Sequence, residues 1–192
     1  MRLAIFGGTF DPIHRAHLEI ARKAADQFHL DQVLLVPAAQ PPHKGGAAHA
    51  SYEHRVRMAE LAVSGDRRVE VSRLEEAPTR SYSIRTIEKV RAGMAPEDEL
   101  FFIIGADAFS EIRTWHRWTD VARAVCFIVV SRPGSKYETP PGIRLERLED
   151  LDLRISSSEI RAALAAGARP EAVPERVIAY IETHGLYVPA AV

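Results

Sequence analysis

The chain has 192 residues, enough for one domain with a sizeable core, and 46% hydrophobic with 27% charged residues is ordinary globular composition. Twenty-five Lys and Arg against 26 Asp and Glu leave a net charge of −1, which excludes a general positive field that would gather nucleic acid or anionic lipid. A single cysteine excludes a disulfide framework and a Cys-rich zinc module. Met1-Arg2 runs straight into Leu3–Phe6 and then glycines, too short an apolar run for a signal peptide. Nothing later approaches a membrane-spanning length, so a soluble, cytoplasmic protein is expected.

In chain order, apolar and β-branched runs predict buried strands at Leu3–Phe6, Gln32–Pro37, Val69–Ser72, Leu100–Ile104 and Val125–Ser131, with a shorter one at Leu153–Ile155. Cys126 falls inside the fifth run and reads as a small buried hydrophobe. Helical periodicity fills the gaps: Leu18, Ala21, Ala25 and Phe28, then Val56, Ala59 and Val63, then Ile84, Ile87 and Val90. Ile160, Ala163 and Leu164 mark a helix stopped by Gly167. Pro174 opens a last helix carrying Val177, Ile178 and Ile181, closed by Gly185. Alternating strand and helix predicts an α/β fold, a Rossmann-like, doubly wound, mostly parallel sheet with helices on both faces. Ala38–Ala50 and Pro133–Gly142 read as surface loops of one domain spanning residues 1–192.

Open α/β sheets bind ligands outside the carboxyl ends of their strands. The first strand ends in Gly7-Gly8-Thr9-Phe10-Asp11-Pro12-Ile13-His14-Arg15-Ala16-His17-Leu18. Two glycines allow a tight turn and close approach of a nucleotide to backbone amides. A helix starting near His14–His17 aims its orphan N–H groups at that turn, and histidines three apart can face one ligand. No Gly-Lys-Ser/Thr follows, and G-x-G-x-x-G is absent, so neither a Walker A loop nor a dinucleotide fingerprint is present. Later, Arg154-Ile155-Ser156-Ser157-Ser158-Glu159-Ile160-Arg161 contains a capping box of Ser156 and Glu159. That cap leaves Ser157 and Ser158 donors and the forked Arg161 side chain for phosphate. Two helix N-termini armed in this way suit a triphosphate.

GGTFDPIHRAHL together with ISSSEIR resembles the nucleotidyltransferase superfamily with the H-x-G-H signature. Val36-Pro37, Pro41-Pro42-His43-Lys44, Ser81-Tyr82-Ser83, Ile103–Asp107, Thr114-Trp115-His116 and Ser131–Gly134 make the chain resemble one family within it, bacterial nicotinate-nucleotide adenylyltransferase. The matches run in order from residue 3 to about 187. The resemblance implies transfer of AMP from ATP to nicotinate mononucleotide, giving nicotinate adenine dinucleotide and pyrophosphate for NAD synthesis, with Mg²⁺ accompanying the ATP. It implies His14, His17, Lys44 and Arg161 as the charge-stabilising catalytic set. ATP would lie against Gly7, Gly8, Thr9, Phe10, Gly105, Asp107, Ser157 and Ser158. The mononucleotide would meet Asp11, His43, Ser83, Trp115, His116 and Arg132. Within that set Trp115 offers a stacking face, and the N–H groups of Ser83 and His116 would clamp the nicotinate carboxylate. An amide in place of the carboxylate would set its own donors against them.

Four positions depart from the family pattern: Ala16 where glycine is typical, Ser83 and Ser158 where threonine is common, and His116 where tyrosine is common. His29, His49, His54 and His184 have no ligand spacing, so no protein-bound metal is expected. The implied partners are the two substrates, with no nucleic acid and no membrane, and a homo-oligomer as an option. Competing readings are phosphopantetheine adenylyltransferase, an enzyme preferring nicotinamide mononucleotide and, from another class, a non-catalytic nucleotide-binding module. A class I aminoacyl-tRNA synthetase shares the histidine signature but needs a longer chain and a basic surface.

Overall fold

The computed structural model describes residues 1–40, 48–76, 81–131, 137–149 and 155–188. Among these, the strands are β1 (Arg2–Gly8), β2 (Gln32–Pro37), β3 (Val69–Val71), β4 (Glu99–Gly105), β5 (Cys126–Val130) and β6 (Leu145–Leu148). The helices are α1 (Arg15–Gln27), α2 (Tyr52–Val63), α3 (Ser83–Arg91), α4 (Ala106–Ser110), α5 (Trp118–Ala124), α6 (Ser157–Ala165) and α7 (Glu175–Thr183). The sheet order is β3-β2-β1-β4-β5-β6, with every neighbouring pair parallel. This is the doubly wound α/β arrangement expected from the alternation of apolar runs and helical stripes.

The strands are apolar throughout because both faces are covered. Ala4, Phe6, Leu35, Phe101, Ile103, Ile128 and Val130 meet the apolar stripes of α1, α2, α6 and α7. The alternate residues Leu3, Ile5, Leu100, Phe102, Ile104, Phe127 and Val129 meet α3, α4 and α5. Each such large side chain contributes about 1.5–3 kcal/mol on burial. The stop signals act as expected: Gly167 and Gly185 take φ of +81° and +59° just beyond α6 and α7, a conformation that penalises residues with a Cβ. Among the described residues, no helix is long and apolar enough to cross a membrane.

The structure departs from or adds to the sequence reading in three places. First, the short strand expected at Leu153–Ile155 falls mostly outside the described residues, which leave out Leu153 and Arg154, and Ile155 itself is irregular. The sixth strand is Leu145–Leu148, an edge strand beside β5 that carries exposed Glu146 and Arg147. Charges on an edge strand blunt its open hydrogen-bonding side and also hide it from a search for apolar runs. Second, α4 and α5, with the 3₁₀ turn Ile112–Thr114 between them, occupy a stretch with no clear helical stripe; both helices are too short to show one. Third, Cys126 is half-buried at the start of β5, its thiol pushed up by burial.

The crossover direction reverses between β1 and β4. β1 pairs with β2 on one side and β4 on the other, so the connections leaving their carboxyl ends pass to opposite faces and part above the sheet.

Candidate active site

A cavity of about 220 Å³ opens at that parting. Gly7, Gly8 and Thr9 from the end of β1 form one wall, and Ile104 and Gly105 from the end of β4 another. Ser83, Trp115 and His116 close it from the side of α3 and the 3₁₀ turn. Gly8 is required sterically: a Cβ there would sit 2.8 Å from the Phe10 ring. Phe10 folds back because it adopts φ +49°. It is 2% exposed and packs edge-on against Phe6 and His17, with centroids 5.7 and 5.0 Å apart. The Phe10 side chain thus wedges the turn and backs His17.

Ser83 opens α3, so its N–H is one of the helix-start donors without an intrahelical acceptor. Trp115 stands edge-on to Phe102, with centroids 5.8 Å apart, and the rings of Tyr82 and His116 lie 4.6 Å apart. The cavity therefore combines aromatic walls with backbone donors, a combination suited to a flat heterocycle bearing an acceptor group.

A second hollow, about 490 Å³, lies where the N-termini of α1 and α6 meet. His14, Ala16, His17, Ser157, Ser158 and Arg161 line it. His14 is the N-cap of α1, and its N–H donates to His17 Nδ1 at 3.3 Å. A nitrogen that accepts cannot carry the proton, so the neutral His17 ring presents its N–H at Nε2. The two imidazoles stack with centroids 3.8 Å apart. At α6 the capping box forms as expected: Glu159 N–H donates to Ser156 Oγ at 3.2 Å, and Ser156 N–H to Glu159 Oε2 at 3.0 Å. Ser157 Oγ donates to the Pro12 carbonyl at 3.3 Å. Arg161 donates to the Asp11 carbonyl at 2.7 Å and to Ser158 Oγ at 3.2 Å. The two helix starts are thereby stitched together, concentrating two positive helix ends and a guanidinium at one place.

Electrostatics sharpen the roles. His14 is 4% exposed, and burial pulls its pKa from 6.5 down to about 4. Its Nδ1 has no hydrogen-bond partner among the described residues. At neutral pH His14 is an uncharged imidazole, and Arg161 brings a fixed positive charge to the lining of the hollow.

Asp11 lines neither hollow. It is 4% exposed, and its carboxylate accepts from the His49 N–H at 2.7 Å, the Ala50 N–H at 3.1 Å and the Tyr187 hydroxyl at 2.7 Å. Burial pushes the Asp11 carboxyl up, but these donors and nearby Arg161 outweigh it and hold it below the usual carboxylate value. Asp11 is thus a clasp between the first loop, the start of α2 and the C-terminal segment. Two of its neighbours escape sequence reading. Arg55 is 1% exposed and donates to the carbonyls of Thr9, Ala38 and Ala50. The available signal was its register, in line with buried Met58 and Ala59 on α2. Tyr187 had no such signal.

Asp107 is exposed in the first turn of α4 and lines neither hollow. His43, Lys44 and Arg132 lie outside the described residues. His54 and His184 come together, with ring centroids 5.3 Å apart, around Tyr180, whose hydroxyl lies 2.9 Å from His54 Nδ1.

Comparison with known proteins bears directly on this geometry. The cytidylyltransferase-like family pattern matches residues 5–163. The chain is 64% identical over 187 residues to the probable nicotinate-nucleotide adenylyltransferase of Solibacter usitatus, covering 97% of this chain and all of that protein. It is 44% identical over 189 residues to a protein of the same description from Thermus thermophilus, covering 97% of this chain and 100% of the relative. The chain belongs to the nicotinate-nucleotide adenylyltransferase family. Among solved structures, the Plasmodium falciparum nicotinic acid mononucleotide adenylyltransferase complexed with NaAD shares the fold, with a TM-score of 0.78 at 20% identity and 97% of each chain covered. For an adenylyltransferase of this family, the departure of interest is Ala16. It sits in the first turn of α1, is buried, and lines the same hollow as the two histidines.

Proposed function

We propose that this chain transfers the adenylyl group of Mg·ATP to nicotinate mononucleotide, releasing pyrophosphate and forming nicotinate adenine dinucleotide in NAD synthesis. The observation that carries the reading is the pairing of two hollows, both lined by the stretch from Gly7 to His17 that leaves β1. One has aromatic walls and the helix-start donor of Ser83; the other joins two helix N-termini around His14, His17 and Arg161. A triphosphate and a flat base bearing a carboxylate need those two surfaces.

In this reading a phosphate oxygen of the mononucleotide attacks the α-phosphorus of ATP. The new P–O bond forms as the bond to the bridging oxygen of the pyrophosphate breaks, and pyrophosphate leaves with the electron pair. No covalent enzyme intermediate is needed. The protein aligns the reactants and stabilises charge that moves onto the leaving group. Arg161 and the Nε2–H of His17 meet the phosphates, Ser157 and Ser158 add donors from the start of α6, and neutral His14 contributes through its ring. Gly7, Gly8, Thr9 and Gly105 let the nucleotide lie close to backbone, and Trp115 stacks on the pyridine while Ser83 and His116 N–H groups hold its carboxylate. Lys44 and His43 enter this scheme through family resemblance alone. Magnesium belongs to the substrate, carried on the phosphates of ATP. The whole chain acts as one nucleotidyltransferase domain in the cytoplasm, and its C-terminal helical segment, residues 156–187, supplies the second phosphate-binding surface.

The test is pyrophosphate release from Mg·ATP with nicotinate mononucleotide, nicotinamide mononucleotide and phosphopantetheine offered separately. A large kcat/KM advantage for the first is expected. Preference for another acceptor would overturn the base site, and no release with any would leave only nucleotide binding.

A further inference from the structure

We propose that Arg55 is a positioning residue of the transfer site, its guanidinium locking the Gly8–Thr9 turn to both ends of the segment that joins β2 to α2. Arg55 is 1% exposed, yet it faces no carboxylate within ion-pair distance among the described residues. Its donors go to backbone instead: Nη1 to the carbonyls of Thr9 and Ala38, both at 2.8 Å, and Nε to the carbonyl of Ala50 at 3.2 Å. Thr9 closes the glycine turn, Ala38 follows β2, and Ala50 precedes α2, so a single side chain joins three chain segments.

Two of those segments are the wall of the substrate crevice. Gly8, Thr9 and Ala38 line the first hollow, and the Ala38 N–H donates to the Gly8 carbonyl at 2.9 Å. Ala50 is gripped from both sides, its carbonyl by Arg55 and its N–H by the Asp11 carboxylate. The Asp11 carbonyl in turn holds Arg161 in the phosphate hollow. The arginine side of this network is thus continuous with the phosphate-binding side, through backbone that the mutual geometry of the two hollows depends on.

The chemistry explains why the residue is arginine. A planar fork with five N–H donors reaches carbonyls in several directions at once, whereas a lysine ammonium is a compact point charge on a flexible stem. A methionine would fill the volume without desolvating a charge, but it would leave the three carbonyls untied. Burial of the cation is costly, and what it supplies is the fixed spacing of three backbone segments, two of them the wall substrates dock against, so its loss falls on substrate binding more than on the transfer step.

The inference rests on the adenylyl-transfer reading, and the experiment separates the two. Wild-type protein is first assayed for pyrophosphate release with nicotinate mononucleotide; absence of release there removes the reading itself. With wild type active, Arg55→Lys and Arg55→Met are purified and melted, and their steady-state constants are measured well below the melting point. The expected result is a cooperative melt with KM for the substrates raised at least about tenfold, and a saturated single-turnover rate within about threefold of wild type. Millimolar guanidinium is expected to recover part of the KM loss in Arg55→Ala, and methylammonium is not. Folded variants with lowered melting temperature but unchanged KM and kcat would overturn the assignment and leave Arg55 a core residue. Failure of all three variants to fold would also overturn it, making the network a requirement of folding rather than of substrate placement.

Discussion

The buried histidine at the start of α1 makes a quantitative prediction about acid stability. In the unfolded chain His14 titrates near 6.5, whereas in the folded protein burial holds it near 4. Between those values the unfolded chain binds a proton that the folded protein does not. Stability is therefore full above about pH 6.5, falls as the pH drops, and stops responding to this group below about pH 4. Each unit of separation is worth about 1.4 kcal/mol, so the full loss is about 3 kcal/mol, and about 2 kcal/mol of it is spent by pH 5. The matching variant is His14→Asn, because asparagine is a good N-cap and does not titrate. Urea unfolding of both proteins would be followed by the fluorescence of the two tryptophans, Trp115 and Trp118, from about pH 7.5 to 4.5. The two stability curves should run parallel above about pH 7 and then diverge, with wild type losing more. Curves that stay parallel to the lowest pH would show that His14 is not a neutral buried group, and the charge assignment of the phosphate hollow would have to be redrawn. ATP should narrow the divergence, since phosphate anions beside the ring favour its protonated form.

Three further outcomes are expected. His17→Ala should lower turnover by about 10²–10³-fold, the scale of losing one charge-stabilising donor. It should cost only about 1 kcal/mol of stability through loss of the acceptor for the His14 N–H; near-normal pyrophosphate release would remove His17 from phosphate binding. Trp115→Ala should raise KM for the mononucleotide far more than KM for ATP, and an equal rise in both would mean that the indole packs against Phe102 rather than stacking on the base. Tyr187→Phe deletes the 2.7 Å donor to Asp11 and should cost about 1–3 kcal/mol in urea unfolding at neutral pH. Because the folded Asp11 carboxyl lies below its ordinary 3.8, it contributes stability that is present above that value and lost as the pH falls through the folded pKa. The variant should show a smaller acid loss in that window, and an unchanged loss would exclude Tyr187 as the group that holds Asp11 ionised.

What was legible in the sequence follows from how far apart the interacting residues lie along the chain. The glycine turn, the histidine spacing and the Ser156–Glu159 cap are local, and local geometry follows from local sequence. The buried strands were legible because coverage on both faces makes them uninterrupted apolar runs; β6, covered less and charged at its exposed positions, was not. Phe10 shows the limit within a motif. The family resemblance implied a nucleotide contact, while a left-handed backbone turns its ring inward, into the space Gly8 leaves by lacking a Cβ. The clasp around Asp11 shows the limit across the chain. Its partners are Ala50, Arg161 and Tyr187, and only the order of strands brings a residue of the first loop against the ends of α2, α6 and α7. The family resemblance invites a ligand role for Asp11. Three donors already on or beside its carboxylate give it a structural one, and they move the question of who positions the substrate to the neighbouring arginine on α2.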